Sequence, residues 1–445
     1  MPTKKNTPNI LLVNPWIHDF AAYDFWAKPL GLLTLGSILS AHGYNISYID
    51  CLDRFHPNVP TKNKVLRNGR GPYMKTTIPM PHGLEDIPRR FSRYGILPEW
   101  FKCNLLSVPA PDLILVTSAM TYWASGVKET IAAIKEIFPD TPLVLGGIYA
   151  TLCKEHAQKY SGADIVFTGR GEPVILKLVG DYTGYNVSCK FDPDDLDTYP
   201  YPALNLQNKI AYVPVMTSRG CPFSCAYCAS HILDKFRMER NPDSVVQEIL
   251  YWHKKFSIAD FAFYDDALLV NASEHAIPIL EAIIKSGITV NFHTPNALHI
   301  REISKQIAGL MFKAGFKTIR LGLETGDFEN RRQLDAKVGA DDFKHAISNL
   351  KQAGFKSGNI GAYLLAGLPG QTGKSIIASI NMVKQNRITP ILAYYTPIPK
   401  TALWDKAVAS SRYNLELDPV FTNNAILPCQ KEPFSWEYIS YLKNS

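Results

Sequence analysis

Three cysteines fall within eight residues, Cys221-Pro222-Phe223-Ser224-Cys225-Ala226-Tyr227-Cys228. Thiolates are soft ligands suited to iron–sulfur clusters or zinc, and three on so short a segment can wrap one face of a single centre. A cubane holds four irons, so three thiolates leave one iron for something other than protein. A cluster closed by four thiolates passes electrons but cannot bind a substrate directly. The competing arrangement is a structural zinc held by Cys221, Cys225, Cys228 and His231, although nothing downstream looks like a small zinc module. The other cysteines, Cys51, Cys103, Cys153, Cys189 and Cys429, show no ligand spacing and read as small buried apolar residues. Eight cysteines in 445 residues are too few and scattered for a disulfide framework, which fits a reducing compartment.

Such a loop needs a rigid support. Apolar runs at 212–216, 261–264, 288–292, 318–321, 359–365 and 391–395 predict six strands, with a helical pattern after each of the first five. Two of those helices close on the same phrase, Lys313-Ala314-Gly315-Phe316-Lys317 and Gln352-Ala353-Gly354-Phe355-Lys356, as a repeated helix, glycine cap and strand would. The prediction is an α/β strand-helix array closing into a partial or complete barrel, with its chemistry at the C-terminal strand ends. The cysteine loop begins right after the first of these strands.

Upstream, strands at 10–13, 46–49, 113–116, 143–145 and 165–167 alternate with helices at 29–41 and 126–138 and a short helix after Thr151, which predicts a doubly wound parallel sheet. Residues 53–111 read as an irregular insertion rich in Pro, Gly and basic side chains. Asp192-Pro193-Asp194-Asp195 and Tyr199-Pro200-Tyr201-Pro202 break any regular element. The expected layout is therefore a first domain over 1–173, a linker over 174–208, a second domain over 209–405 and a tail over 406–445 containing Trp436 and Tyr438.

A hydrophobic content of 46% is ordinary for a globular protein and argues against disordered or fibrous classes. The polar start and the brief run at 10–13 do not make a signal peptide, and no apolar stretch approaches the roughly 20 residues of a membrane helix, so the expectation is a cytoplasmic protein. The formal charge of +7 is modest. Arg54, Lys62, Lys64, Arg67, Arg70, Lys75, Arg89, Arg90 and Arg93 concentrate much of it, either as a solvated face or as a surface for something anionic.

The cysteine spacing, with Ser218-Arg219-Gly220 before it, resembles the signature of the radical S-adenosylmethionine (SAM) superfamily. The likeness continues over about 212–403. It implies a partial (β/α)6 barrel and a [4Fe-4S] cluster on Cys221, Cys225 and Cys228. The open iron there chelates the amino and carboxylate groups of SAM, and one electron yields methionine and a 5'-deoxyadenosyl radical that abstracts hydrogen from the substrate. Tyr227 matches the position lying against adenine. Phe263-Tyr264-Asp265-Asp266 resembles members with an aromatic followed by paired acids, so Asp265 or Asp266 would accept from the methionyl ammonium; a helix N-cap is the alternative. His293, Thr294 and Asn296 end the third strand toward the same mouth, without assigned roles. Gly322-Leu323-Glu324-Thr325-Gly326 resembles Gly-x-Glu-Ser-Gly, which places Glu324 at the cofactor. Gly367-Leu368-Pro369-Gly370-Gln371-Thr372 resembles the adenine-side Gly-Leu-Pro-Gly-Glu-Thr turn, with Gly367 and Pro369 as contacts, or is simply a loop. Pro397-Ile398-Pro399-Lys400-Thr401-Ala402-Leu403 resembles Pro-x-Pro-Gly-Thr-x-Leu, with Lys400 in place of glycine at the cost of a local turn change.

The first domain offers small residues at its strand ends, and Gly31-Leu32-Leu33, Leu145-Gly146-Gly147 and Gly169-Arg170-Gly171-Glu172 resemble the cobalamin-binding domain joined to many radical enzymes. That implies a Rossmann-like fold of the B12-binding type, with Asn14, Ser118, Met120, Thr121, Gly146, Gly147, Gly169 and Gly171 facing a corrin; an empty doubly wound domain is the alternative. No Gly-x-Gly-x-x-Gly follows the first strand, which disfavours a dinucleotide. Asn14-Pro15-Trp16-Ile17-His18 replaces the Asp-x-His-x-x-Gly that supplies histidine to cobalt, as in members that leave the lower face without a protein ligand. The resemblance implies an oxygen-sensitive enzyme for anaerobic work that methylates or remodels an unactivated carbon of a small or lipid-like organic substrate. Its electrons would come from an external donor such as flavodoxin or ferredoxin. Cobalamin-free cyclisation, rearrangement or sulfur insertion is the second expectation, and a zinc-stabilised RNA-binding protein the third, with nucleic acid disfavoured as a partner. No catalytic residue beyond these contacts is assigned.

Overall fold

The computed structural model describes residues 7–430 apart from 62, 63, 65, 330, 332, 333 and 336; Lys62, Trp436 and Tyr438 lie outside the described residues. Contacts divide the chain into two units, one running to Ala211 and taking in Asp418–Val420, the other beginning at Tyr212 and resuming at Phe421.

The first unit is built on β1 (Asn9–Asn14), β2 (Asn45–Asp50), β3 (Leu113–Val116), β4 (Leu143–Leu145) and β5 (Ile165–Val166). They form one sheet in the order β5-β4-β3-β1-β2, every pairing parallel. β3 and β4 are buried along their whole length because helices cover both faces, which is why they read as unbroken apolar runs. Ile10, Leu12, Leu113 and Leu115 pack with Leu32, Ile38 and Leu39 of helix α1 (Leu30–Ala41). Strand order reverses between β1 and β3, the point at which open sheets of this kind bind ligands.

Two expectations need correction here. The insertion at 53–111 is not irregular throughout: helix α2 (Pro98–Ser107) starts on a proline in its first turn, and Lys75–Thr77 and Ser92–Tyr94 join Ile17–Asp19 in a small antiparallel sheet. The predicted connector also begins with a helix. Ile175 and Val179 of α4 (Ile175–Thr183) are buried in the core of the first sheet, and α3 (Ala124–Ile137) follows β3.

The second unit carries β6 (Val213–Val215), β7 (Asp260–Phe263), β8 (Asn291–His293), β9 (Phe316–Glu324), β10 (Ile360–Ala366) and β11 (Thr389–Tyr394). Their order in the sheet is their order in the chain and all pairings are parallel, with β6 and β11 at opposite edges, so the barrel is partial. The crossovers are α5 (Pro242–Phe256), α6 (Ala276–Ser286), α7 (Lys305–Ala314), α8 (Ala340–Ala353) and α9 (Gly373–Gln385). The repeated glycine phrase does what its residues suggest: Gly315 and Gly354 close α7 and α8 at φ 102° and 111°, in the left-handed region that favours glycine. Among the described residues no helix is long and apolar enough to cross a membrane.

Candidate active site

The cysteine loop leaves the C-terminal end of β6 through Ser218–Arg219, which pairs antiparallel with Met238–Glu239 and pins both ends of the intervening segment. Gly220 makes the entry turn at φ 80°, and a Cβ there would lie 2.6 Å from the Phe236 carbonyl oxygen, so only glycine fits. Cys225 is buried and Cys221 and Cys228 are half-buried, all with free thiols. Cys228 Sγ receives the Ser230 amide at 3.4 Å. Among the described residues no three His, Cys, Asp or Glu side chains are grouped to hold a single metal ion. Thiolates on one loop, each reaching a different iron, fit a three-point cluster.

Asp265 and Asp266 separate into two roles. Asp265 Oδ1 accepts from the Ser218 amide at 2.6 Å, the Ser218 hydroxyl at 2.7 Å and the Thr217 hydroxyl at 2.7 Å, and the Thr217 amide lies 3.1 Å away. It is a buried clamp on the stem of the cysteine loop. Asp266 is exposed beside Ser230. His293 does not present itself to the mouth: it is fully buried, with Nδ1 3.1 Å from Thr318 Oγ1 and Nε2 3.0 Å from Asp260 Oδ1. Thr294 and Asn296 are likewise spent on backbone, the first on the Thr318 carbonyl and the second on those of Tyr264 and Asp265.

Glu324 ends β9 at φ 61°, where the register with β10 slips. A left-handed glutamate is a strained conformation of the kind that collects at functional sites. Burial pushes its carboxyl up to about 7, with Lys337 opposing and Asp335 adding to the rise. No motif announced the segment that covers the loop. The Ala226 amide donates to the Leu334 carbonyl at 2.9 Å, the Tyr227 hydroxyl lies 3.4 Å from Asp335 Oδ2, and the Lys337 ammonium acts electrostatically on Cys225. Arg331 holds Asp335 through two bonds of 2.8 and 3.1 Å. Burial raises the Cys225 thiol and Lys337 draws it back toward the thiolate. In the last turn, Gly367 stands at φ 94° and the Gln371 carboxamide oxygen accepts from the Gly367 and Leu368 amides. Pro369 is half-buried beside them. Lys400 adopts φ 70°, so it keeps the left-handed turn that glycine would make rather than altering it.

At the strand ends of the first unit, Ser118 donates to the Gly146 carbonyl at 2.7 Å and Asn14 to Asp50 at 2.7 Å, so both side chains tie strands together. Gly147 is required by its φ of 97° and by the Ser118 carbonyl 2.3 Å from where a Cβ would stand. Gly146 and Gly169 open onto empty space, a bare floor at the ends of β4 and β5 that suits a broad flat ligand. Gly171 rests against Leu35, Thr121 is buried, and Met120 is half-buried at the start of a short 3-10 turn. His18 is engaged within the fold, with Nε2 2.6 Å from Glu129 Oε2 and Nδ1 3.2 Å from Ser125.

The basic stretch is not one solvated face. Arg54 is buried against Asp24 at 3.0 Å, Arg70 lies over the Trp26 ring at 4.4 Å, and Arg93 pairs with Glu129 at 3.0 Å. Cys103 and Cys189 are exposed rather than buried, Cys103 on α2 and Cys189 in the segment after α4.

The radical SAM superfamily profile matches residues 215–383, and the B12 binding domain profile matches residues 107–179. The chain thus carries a radical SAM domain and a B12 binding domain. A radical SAM domain implies a [4Fe-4S] cluster and SAM as cofactors, and a B12 binding domain implies cobalamin. It is 25% identical to an uncharacterized methyltransferase, PH0819, of Pyrococcus horikoshii over 330 residues, which is 68% of this chain and 70% of that protein. It is 26% identical to the anaerobic magnesium-protoporphyrin IX monomethyl ester cyclase of Rubrivivax gelatinosus, over 66% of this chain and 58% of the cyclase. Among solved structures, the radical SAM methyltransferase TsrM of Kitasatospora setae aligns with TM-score 0.65 at 15% identity over 92% of this chain and 78% of its own. The cobalamin-dependent enzyme OxsB aligns with TM-score 0.60 at 14% identity, over 91% of this chain and 55% of its own. At these identities the structural likeness establishes the fold.

Proposed function

We propose that this radical SAM enzyme transfers a methyl group to an unactivated carbon of a small or lipid-like organic substrate. The observation that carries this reading is the presence in one chain of a three-thiol loop at the mouth of a partial barrel and a B12-type sheet with a bare glycine floor. When bound, the reduced cluster splits the sulfonium of SAM into methionine and a 5'-deoxyadenosyl radical, and cobalamin carries the methyl group.

The chain's own residues hold and orient. Cys221, Cys225 and Cys228 ligate three irons; Asp265 fixes the loop stem; Asp266 accepts from the methionyl ammonium; Tyr227, Glu324, Gly367 and Pro369 line the nucleoside side. Asn14, Ser118, Met120, Thr121, Gly146, Gly147, Gly169 and Gly171 face the corrin. An external flavodoxin or ferredoxin supplies the electron. Free thiols suit a cytoplasmic, low-oxygen setting.

The decisive experiment uses anaerobically reconstituted protein and SAM carrying a labelled methyl group. Iron, sulfide and corrin should be present, 5'-deoxyadenosine should form, and the label should appear in product. A Cys225→Ala variant that still forms 5'-deoxyadenosine at the native rate would refute the ligation. Cobalamin-assisted ring closure is the second reading, favoured by the 26% identity to a protein named as a cyclase; product without label, formed by corrin-loaded protein, would select it.

A further inference from the structure

His299 follows β8 and is 7% exposed, yet neither Nδ1 nor Nε2 has a hydrogen-bond partner among the described residues. Other buried histidines of this unit are satisfied: His293 bonds Thr318 and Asp260, and Nε2 of His275 bonds Thr217 at 2.9 Å. A buried polar group without a partner loses its hydration for nothing in return, so such groups call for an occupant that supplies the bond.

The place of the ring says which occupant. It stacks on Phe223, inside the cysteine loop, with centroids 4.7 Å apart and planes 28° from parallel. Lys337, whose charge acts on Cys225, has its ammonium 5.8 Å from the centre of the same Phe223 ring. The residue before it, Leu298, pairs with Leu321 of β9, and Ala297 lies 3.2 Å from where a Gly322 Cβ would stand. His299 therefore sits between the cysteine loop and the strand that ends in Glu324. Burial, with Lys337 and Arg237 as cationic neighbours, pushes the imidazole down to about 4. A neutral imidazole offers one N–H and one lone pair.

We propose that His299 is a contact residue for SAM at the vacant corner of the cluster, donating through one ring nitrogen and accepting through the other. The proposal rests on the reading of the cysteine loop given above. Cluster sulfides can only accept a hydrogen bond and would leave the second nitrogen orphaned. SAM brings both kinds of group, in its ribose hydroxyls, its adenine amine and its methionyl ammonium.

The test compares reconstituted wild type, His299→Leu and His299→Gln. SAM binding is followed by the change it causes in the paramagnetic signal of the reduced cluster, alongside iron content and the melting temperature of the cluster-free protein. His299→Leu should weaken SAM binding tenfold or more with iron content unchanged, and should raise the melting temperature by removing two orphaned polar atoms. His299→Gln, which keeps one donor and one acceptor, should recover part of the affinity. Native SAM affinity in the leucine variant, or a loss of iron that accounts for the loss of affinity, would overturn the role of His299 while leaving the cluster reading intact. Wild type with a full cluster whose signal ignores SAM would overturn the cluster reading and this proposal together.

Discussion

Among individual side chains, paired acids that look interchangeable in sequence differ in what they touch. Asp265 has its oxygens filled by Thr217 and Ser218, whereas Asp266 stands exposed. Asp265→Ala should therefore destabilise the fold by about 1–3 kcal/mol for each buried donor left unpaired, seen as a lower melting temperature. Asp266→Asn should leave melting unchanged and weaken SAM binding. Glu324 gives a pH test in the cluster-free protein. Its folded pKa, about 7, lies above the ordinary glutamate value near 4.5, so the fold prefers the protonated form. The stability this contributes is fully present below pH 4.5 and is lost as pH rises through 7, a span worth about 3 kcal/mol at 1.36 kcal/mol per unit. Glu324→Gln should remove that decline, so its melting advantage over wild type should grow between pH 5 and pH 8. Lys400→Gly should stabilise by roughly 0.5–1 kcal/mol, because relief of a left-handed side chain exceeds the entropy glycine adds to the unfolded chain.

At the scale of elements, most strands were legible because burial on both faces leaves continuous apolar runs, as in Leu113–Val116 and Leu143–Leu145. The helices α7 and α8 were legible through their glycine caps. What escaped notice lacked such a pattern. Only Leu105 and Phe101 of α2 are buried, so its sequence reads as loop. The segment from Arg331 to Lys337 carries no motif at all, and its partners Ala226, Tyr227 and Cys225 lie more than a hundred residues upstream, beyond any local pattern. His299 was invisible because a lone histidine signals nothing until its neighbours are known. The entry turn of the cysteine loop is testable at this scale. Gly220→Ala should cost about 1–2 kcal/mol in handedness alone, beyond the clash with the Phe236 carbonyl. Iron content should fall while far-UV circular dichroism stays native.

For the molecule as a whole, the proposed function divides the cofactors between the two units, cobalamin in the first and the cluster with SAM in the second. Gly146→Trp should abolish corrin retention by filling the open floor while leaving iron content and SAM binding in place, and Cys225→Ala should do the reverse. His18→Gln should weaken the fold through its lost pairing with Glu129, yet leave the spectrum of bound cobalt unaltered, since that ring is occupied elsewhere. The fold class was recoverable from sequence because six strands joined by five helices in chain order admit few arrangements, whereas the order of the strands in the first sheet was not read from it.

The outer edges of β6 and β11 never meet. A closed cylinder of eight strands pairs every ladder group within itself, whereas an arc of six leaves the outer row of each terminal strand to partners other than a strand. Just past those rows the Leu403 amide donates to the Ala226 carbonyl, so a loop-to-loop bond spans from the last strand's exit to the cysteine loop where a seventh pairing would stand.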